Sequence, residues 1–158
     1  MVKCTLITQG ALKEEYLLRA VEEYKKRISA FAEVTEINLK DEKLFTESPA
    51  EVTAALETEA DRILAKIPED AYTVALCVEG KELSSEAFAT LIGDACDRCG
   101  KLCFVIGSSY GLSPRVKARA DARISFSRMT FPHGLMRAIL TEQIYRAFTI
   151  LKGKKYHK

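Results

Sequence analysis

The sequence predicts an α/β fold, a parallel-rich sheet with helices on both faces, and three observations carry that expectation. Short apolar runs alternate with helix-period patterns in the order βαβαβαβαβα, as in strands joined by helical crossovers. Two runs, Tyr72–Val78 and Leu102–Ile106, are almost wholly apolar, as interior parallel strands buried on both faces are. The length of 158 residues, with no linker or internal repeat, fits one domain over residues 1–158 that buries roughly 70% of its unfolded surface.

Taken in order, Val2–Thr8 reads as a strand, and Glu14–Ser29 as a helix with Leu17, Leu18, Val21, Tyr24 and Ile28 on one face. Ala32–Leu39 is a second, weaker strand, and Lys40–Thr46 is polar and loop-like. Ser48-Pro49-Ala50-Glu51 supplies an N-cap serine, a proline at the first helical position and an acid three residues after the cap. A helix is therefore expected from Pro49 to about Lys66, stopping before Pro68. Ser84 or Ser85 caps another that ends near Gly100, and Ser113-Pro114 opens a short one. Arg123–Ser127 alternates as a strand. Leu135–Leu151 places Leu135, Ile139, Leu140, Ile144, Ala147, Phe148 and Leu151 at helical spacing.

The composition excludes several classes. Hydrophobic residues make up 47% and charged residues 29%, so neither disorder nor a fibrous repeat is expected. The longest uncharged run, Leu102–Pro114, has 13 residues, short of the roughly 20 that a membrane helix needs. With no secretory pattern in the first residues, the protein is expected to be cytoplasmic and off the membrane. Five cysteines, an odd number, then read as reduced thiols. Cys96-x-x-Cys99 has the spacing of half a zinc site, but a second ligand pair is missing because the histidines are only His133 and His157. No metal is expected.

Charge is unevenly spread. Met1–Leu112 holds 13 Lys and Arg against 20 Asp and Glu, a net of −7; Ser113–Lys158 holds 11 against 2, a net of +9. A basic third of this kind suits a polyanion such as nucleic acid. It equally suits pairing with the acidic half of the same or a second subunit.

In parallel sheets ligands bind beyond the carboxyl ends of the strands. Three loops leave those ends: Glu79-Gly80-Lys81, Gly107–Gly111 and Arg128–His133. No G-x-x-x-x-G-K-[ST] string is present, and Gly10 stands alone after the first strand, so P-loop and dinucleotide-fold readings fall away. Gly107–Gly111 reads as a binding loop or a tight turn. Phe126–His133 reads as a functional loop or a plain strand-to-helix connection whose Met129 and Phe131 fill core.

The strings FVIG-x-x-x-GL, ISFSRMTFPH, LMR-x-x-L-x-EQ-x-YRA and a terminal KYHK occur in that order. Together they resemble the ribosomal large-subunit methyltransferase H family, small SPOUT-class enzymes, over essentially the whole chain. The departures are Ser108, where a second glycine is usual, and Tyr110, at a position more often polar. The resemblance implies a deep C-terminal trefoil knot, a homodimer and S-adenosyl-L-methionine as cofactor. It further implies methylation of N3 of a pseudouridine in the helix-69 loop of 23S rRNA within the ribosome.

Carried onto matching positions, the cofactor is expected at Leu76, Gly107, Phe126, Ser127, Arg128, Met129, Thr130 and Phe131. His157 is the candidate base, with Glu142 behind it; Tyr156 stacks on or bonds the target base, and Arg146 holds a phosphate or orients the tail. Arg128, Lys152, Lys154 and Lys155 are the expected RNA contacts. Without the resemblance, His157 reads as part of a frayed terminus. A non-catalytic RNA-binding or ribosome-associated factor on the same fold is the alternative function.

Overall fold

The computed structural model describes residues 1–158. Its elements are β1 (Val2–Gln9), α1 (Glu15–Ile28), β2 (Ala32–Leu39), α2 (Pro49–Leu64), β3 (Tyr72–Glu82), α3 (Ser85–Cys99), β4 (Lys101–Ile106), α4 (Pro114–Arg119), β5 (Ala122–Ser125) and α5 (His133–Leu151). The five strands form one sheet in the order β2-β1-β4-β3-β5, and every neighbouring pair is parallel.

Burial on both faces follows from strand alternation. Along β4, Leu102, Phe104 and Ile106 face a core shared with Phe88 and Ile92 of α3 and Leu140, Ile144 and Phe148 of α5. The alternate residues Cys103 and Val105 face Ala60 and Ile63 of α2 and Val116 of α4. Serine caps act where the sequence places them: Ser48, Ser84 and Ser113 accept from the N–H groups of Glu51, Ala87 and Arg115. Gly100 ends α3 with a left-handed φ of 65°.

Three elements differ in their bounds from the sequence reading, each for a local reason. Strand β3 continues through Glu79-Gly80-Lys81 by way of a bulge: Leu76 and Lys81 both pair with Ile124, and Glu82 pairs with Ser125. Only glycine fits at position 80, where a Cβ would lie 2.6 Å from the Ile124 carbonyl carbon. Strand β5 starts where Asp121 clamps Thr73, each main chain N–H bonding to the other residue at 2.8 Å. It stops at Ser125, whose hydroxyl donates to the Ser127 carbonyl at 2.9 Å while Met129 N–H donates to Ser127 Oγ at 3.0 Å. These bonds turn the chain out of the sheet. Helix α5 begins at His133 rather than Leu135, with Pro132 at its N-cap.

The α5 stripe is also partly redrawn. Leu140, Ile144, Ala147 and Phe148 are buried, but Leu135 and Leu151 are exposed. Ile106 and Ile124, at or next to the ends of β4 and β5, pair in register with Leu76, just before the β3 bulge. The bulge and the two loops that follow β4 and β5 are thereby gathered at one edge of the sheet.

Candidate active site

A cavity of about 670 Å³ opens at that edge, within the ordinary range for a small-molecule site. Leu76, Gly107, Phe126, Ser127, Met129, Thr130 and Phe131 all line it. The structure thus brings seven of the eight expected cofactor residues round one space. Arg128 is the exception: its side chain is 92% exposed and reaches only toward Glu82, at 3.8 Å. The Arg128 side chain stands in solvent, outside the cavity lining.

The Gly107 backbone packs directly on the opposite limb of its own loop. A Cβ there would stand 2.2 Å from the Gly111 carbonyl oxygen and 2.9 Å from Leu112 Cδ2. The loop is therefore a backbone-walled cradle, which only glycine permits.

The departures Ser108 and Tyr110 each find an acid. Ser108 Oγ donates to Glu59 at 3.0 Å, and the same buried carboxylate accepts the Glu42 N–H at 3.0 Å. Tyr110 OH donates to Glu47 at 2.8 Å. The glycine loop is thus tied to the β2–α2 connection on both sides.

Lys117 carries no sequence motif, yet enters the cavity wall along with Glu79, His133 and Met136. Glu79 holds its carboxyl below the usual range because Lys117 bonds to it. Glu79 and Lys117 thus stand as an ion pair at the cavity wall. Arg137 anchors the helix that delivers His133 and Met136. It is buried, and its Nη2 donates to the Gln9 carbonyl at 2.8 Å and to that of Gly10. Burial depresses its pKa.

The four tail residues also come together, away from the cavity wall. Glu142 Oε1 accepts from Arg146 Nε at 3.0 Å and from Tyr156 OH at 3.1 Å. The Arg146 guanidinium carbon stands 4.7 Å from the centre of the Tyr156 ring. Arg146 Nη1 lies 3.2 Å from His157 Nδ1, and His157 Nε2 lies 2.8 Å from Glu86 Oε1. Arginine can only donate, so Nδ1 accepts and Nε2 carries the proton given to Glu86. Burial, then the Glu142 carboxylate, pushes the Tyr156 phenol up to about 12. Tyr156 is a neutral donor at physiological pH and no base.

Of the expected RNA contacts, Lys152, Lys154 and Lys155 are exposed on the tail, with Lys154 Nζ 4.8 Å from the Phe31 ring centre. Part of the basic third is neutralised within the chain, because Arg115 pairs with Glu57 and Asp61 and Lys117 with Glu79. No group of three or more His, Cys, Asp or Glu side chains is arranged to hold a metal ion. No helix is long and apolar enough to cross a membrane.

A family model described as predicted SPOUT methyltransferase matches residues 2–157. The chain belongs to the SPOUT methyltransferase family. Within it, this SPOUT chain is 50% identical over 155 residues to the ribosomal RNA large subunit methyltransferase H of Listeria monocytogenes, covering 97% of this chain and 98% of that protein. The protein of the same name from Bacillus pumilus is 48% identical over 156 residues, covering 98% of each. That of Exiguobacterium sibiricum is 48% identical over 160 residues, covering 99% and 100%.

Among solved structures, a probable methylase family protein from Haemophilus influenzae superimposes with a TM-score of 0.54 at 12% identity, covering 99% of this chain and 70% of that one. That likeness concerns the fold alone. Ser108 and Tyr110 fix the glycine loop at the cavity through Glu59 and Glu47.

Proposed function

We propose that the protein is an S-adenosyl-L-methionine-dependent methyltransferase that modifies N3 of a pseudouridine in the helix-69 loop of 23S rRNA on assembled ribosomes. The observation that carries the cofactor half is the Gly107 cradle, where a Cβ would strike the Gly111 carbonyl at 2.2 Å. The rRNA half is supported by the names of relatives about half identical over nearly the whole chain.

The residues suit the cofactor. Leu76, Phe126 and Met129 offer apolar walls, and main chain groups of Phe126–Phe131 can bond an adenine edge. S-adenosyl-L-methionine supplies an electrophilic methyl group when bound, so the protein has mainly to align, exclude water and handle one proton. The nucleophile is an imide nitrogen whose proton must leave as the new N–C bond forms.

His157 is the group for that proton, yet both ring nitrogens are engaged, with Arg146 and with Glu86. Its Nδ1 lone pair becomes available only when Arg146 turns away, and an RNA phosphate is a stronger attraction for a guanidinium than a neutral imidazole. Substrate arrival at Arg146 therefore frees the base in the same motion. Glu142 keeps Arg146 and Tyr156 oriented meanwhile.

Glu142 and Arg146 lie nine and thirteen residues past His133 on α5, a rise of about 14 to 20 Å. That separation from the chain's own cavity supports a homodimer in which one subunit's tail serves its partner's cofactor. The reading also carries the trefoil knot, with α5 drawn in beneath the loops that hold the cofactor, and a cytoplasmic location. The test is a calorimetric titration with S-adenosyl-L-methionine. Saturable binding is expected, whereas a non-catalytic RNA-binding factor on this fold gives no heat.

A further inference from the structure

A second cavity, of about 500 Å³, lies between α3 and the outer strand pair β3–β5. Ile124 lines both cavities, so the two spaces adjoin. Three cations stand round the second: Lys81, Arg98 and Arg123. All three are exposed, and no carboxylate pairs with any of them, unlike Arg115 and Lys117 nearby. Asp94 is the one acid in the wall. The Arg98 guanidinium carbon lies 5.7 Å from the Tyr72 ring centre, which makes a flat cationic and aromatic face.

The charges are spread along the strand rather than focused. Tyr72, two residues before the first β3–β5 pair Val74–Ala122, and Arg98 beside it lie past one end of that ladder; Lys81, paired with Ile124 at the level of Leu76, lies toward the other. Four residue steps of strand cover about 13 Å. A compact anion would meet one cation, whereas a polyanionic strand meets them all. Unpaired bases stack on aromatic and guanidinium planes with little regard for sequence.

We propose that this groove seats the single-stranded RNA flanking the target nucleotide, with Lys81 and Arg123 on its phosphates and a base stacked on the Tyr72–Arg98 face. The proposal rests on the rRNA substrate reading above. It adds a second RNA-contacting surface, separate from the tail lysines and contiguous with the cofactor cavity.

The test uses the full chain with Lys81→Ala, Arg98→Ala and Arg123→Ala combined. Binding of a fluorescein-labelled, unstructured twelve-nucleotide RNA is followed by anisotropy from 50 to 200 mM KCl. Each lost phosphate contact lowers the salt slope by roughly 0.7 for a single strand, so Lys81 and Arg123 together lower it by about 1.4. Over that fourfold salt range the wild type then loses roughly 7-fold more affinity than the variant. Tyr72→Leu weakens binding at every salt concentration with the slope unchanged, because it removes a stack and no charge.

An unchanged slope and affinity in the triple variant overturns the groove, as does a changed sedimentation mass, which would mean that a second copy covers this face. Wild-type protein that methylates ribosomes while the triple variant shows the same KM refutes the groove alone. Wild-type protein that neither binds RNA nor labels rRNA refutes the substrate reading, and the groove with it.

Discussion

Replacing Gly107 by alanine adds one methyl group to the cradle, and the geometry fixes what that methyl meets. Its carbon would stand 2.2 Å from the Gly111 carbonyl oxygen and 2.6 Å from the carbonyl carbon. Even a close C–H···O contact needs about 3.3 Å, so the two limbs of the loop must part by about 1 Å. The obstacle is backbone, and Leu112 behind it is buried, so no side-chain rotation relieves it. Overpacking of this kind costs about 1–3 kcal/mol.

Displacement toward the cavity takes that cost from cofactor binding, a loss of about 5- to 150-fold in Kd. Calorimetry with S-adenosyl-L-methionine measures it, with a thermal melt alongside to show that the variant is folded. Gly107→Arg, which fills the space outright, is expected to abolish binding. Gly153→Ala, in the tail, meets nothing within 4 Å but sits at φ +63°, so it costs about 1–2 kcal/mol of backbone strain and is the control expected to bind cofactor normally. A folded Gly107→Ala protein whose Kd stays within twofold of wild type would refute the cradle and the reasoning built on it.

Three further outcomes are expected. Deleting Tyr156–Lys158 leaves cofactor binding nearly intact but lowers methyl transfer to ribosomes strongly, and His157→Ala flattens the pH dependence of the rate; unchanged turnover after truncation would return the tail to a frayed end. Tyr156, raised to about 12 in the folded chain, stabilises tail docking fully below the ordinary phenol pKa near 10 and loses that contribution as pH climbs from about 10 to 12. An ultraviolet titration should therefore show one tyrosine ionising late, and no late phase contradicts the docked tail. Burial pushes the Cys4 and Cys103 thiols up to about 12, so a thiol reagent at pH 8 should label exposed Cys99 first and those two only on unfolding; mass spectrometry of the native protein reads the order.

The legible parts of the fold were those written locally. Ser48-Pro49 and Ser113-Pro114 announce their helices because cap and proline act within a turn. The continuous run of β4 announces burial on both faces. Strand order and the Gly80 bulge were not legible, since Lys81 reads as loop until its partner Ile124 is in place. The α5 stripe likewise hid Arg137, a charged residue buried because the carbonyls of Gln9, at the end of β1, and Gly10, just past it, receive it.

At the site, spacing alone left the Gly107 loop and the Phe126–His133 segment open between binding and connection. The family resemblance chose among these readings. Lys117 carries no signal in the sequence, and its meeting with Glu79 of the Glu79-Gly80-Lys81 segment depends on two separate parts of the chain. Arg128, which the resemblance groups with its neighbours, is the one of the eight outside the cavity lining.

The account stands or falls on the product. Ribosomes lacking the modification are incubated with the protein and methyl-deuterated S-adenosyl-L-methionine, and the nucleosides of 23S rRNA are resolved by mass spectrometry. One deuterated methyl per 23S rRNA, on N3 of a pseudouridine in the helix-69 loop, is the expected result. Rescue of the label on another nucleoside would contradict the specificity, and no label on rRNA at saturating cofactor would contradict the function itself.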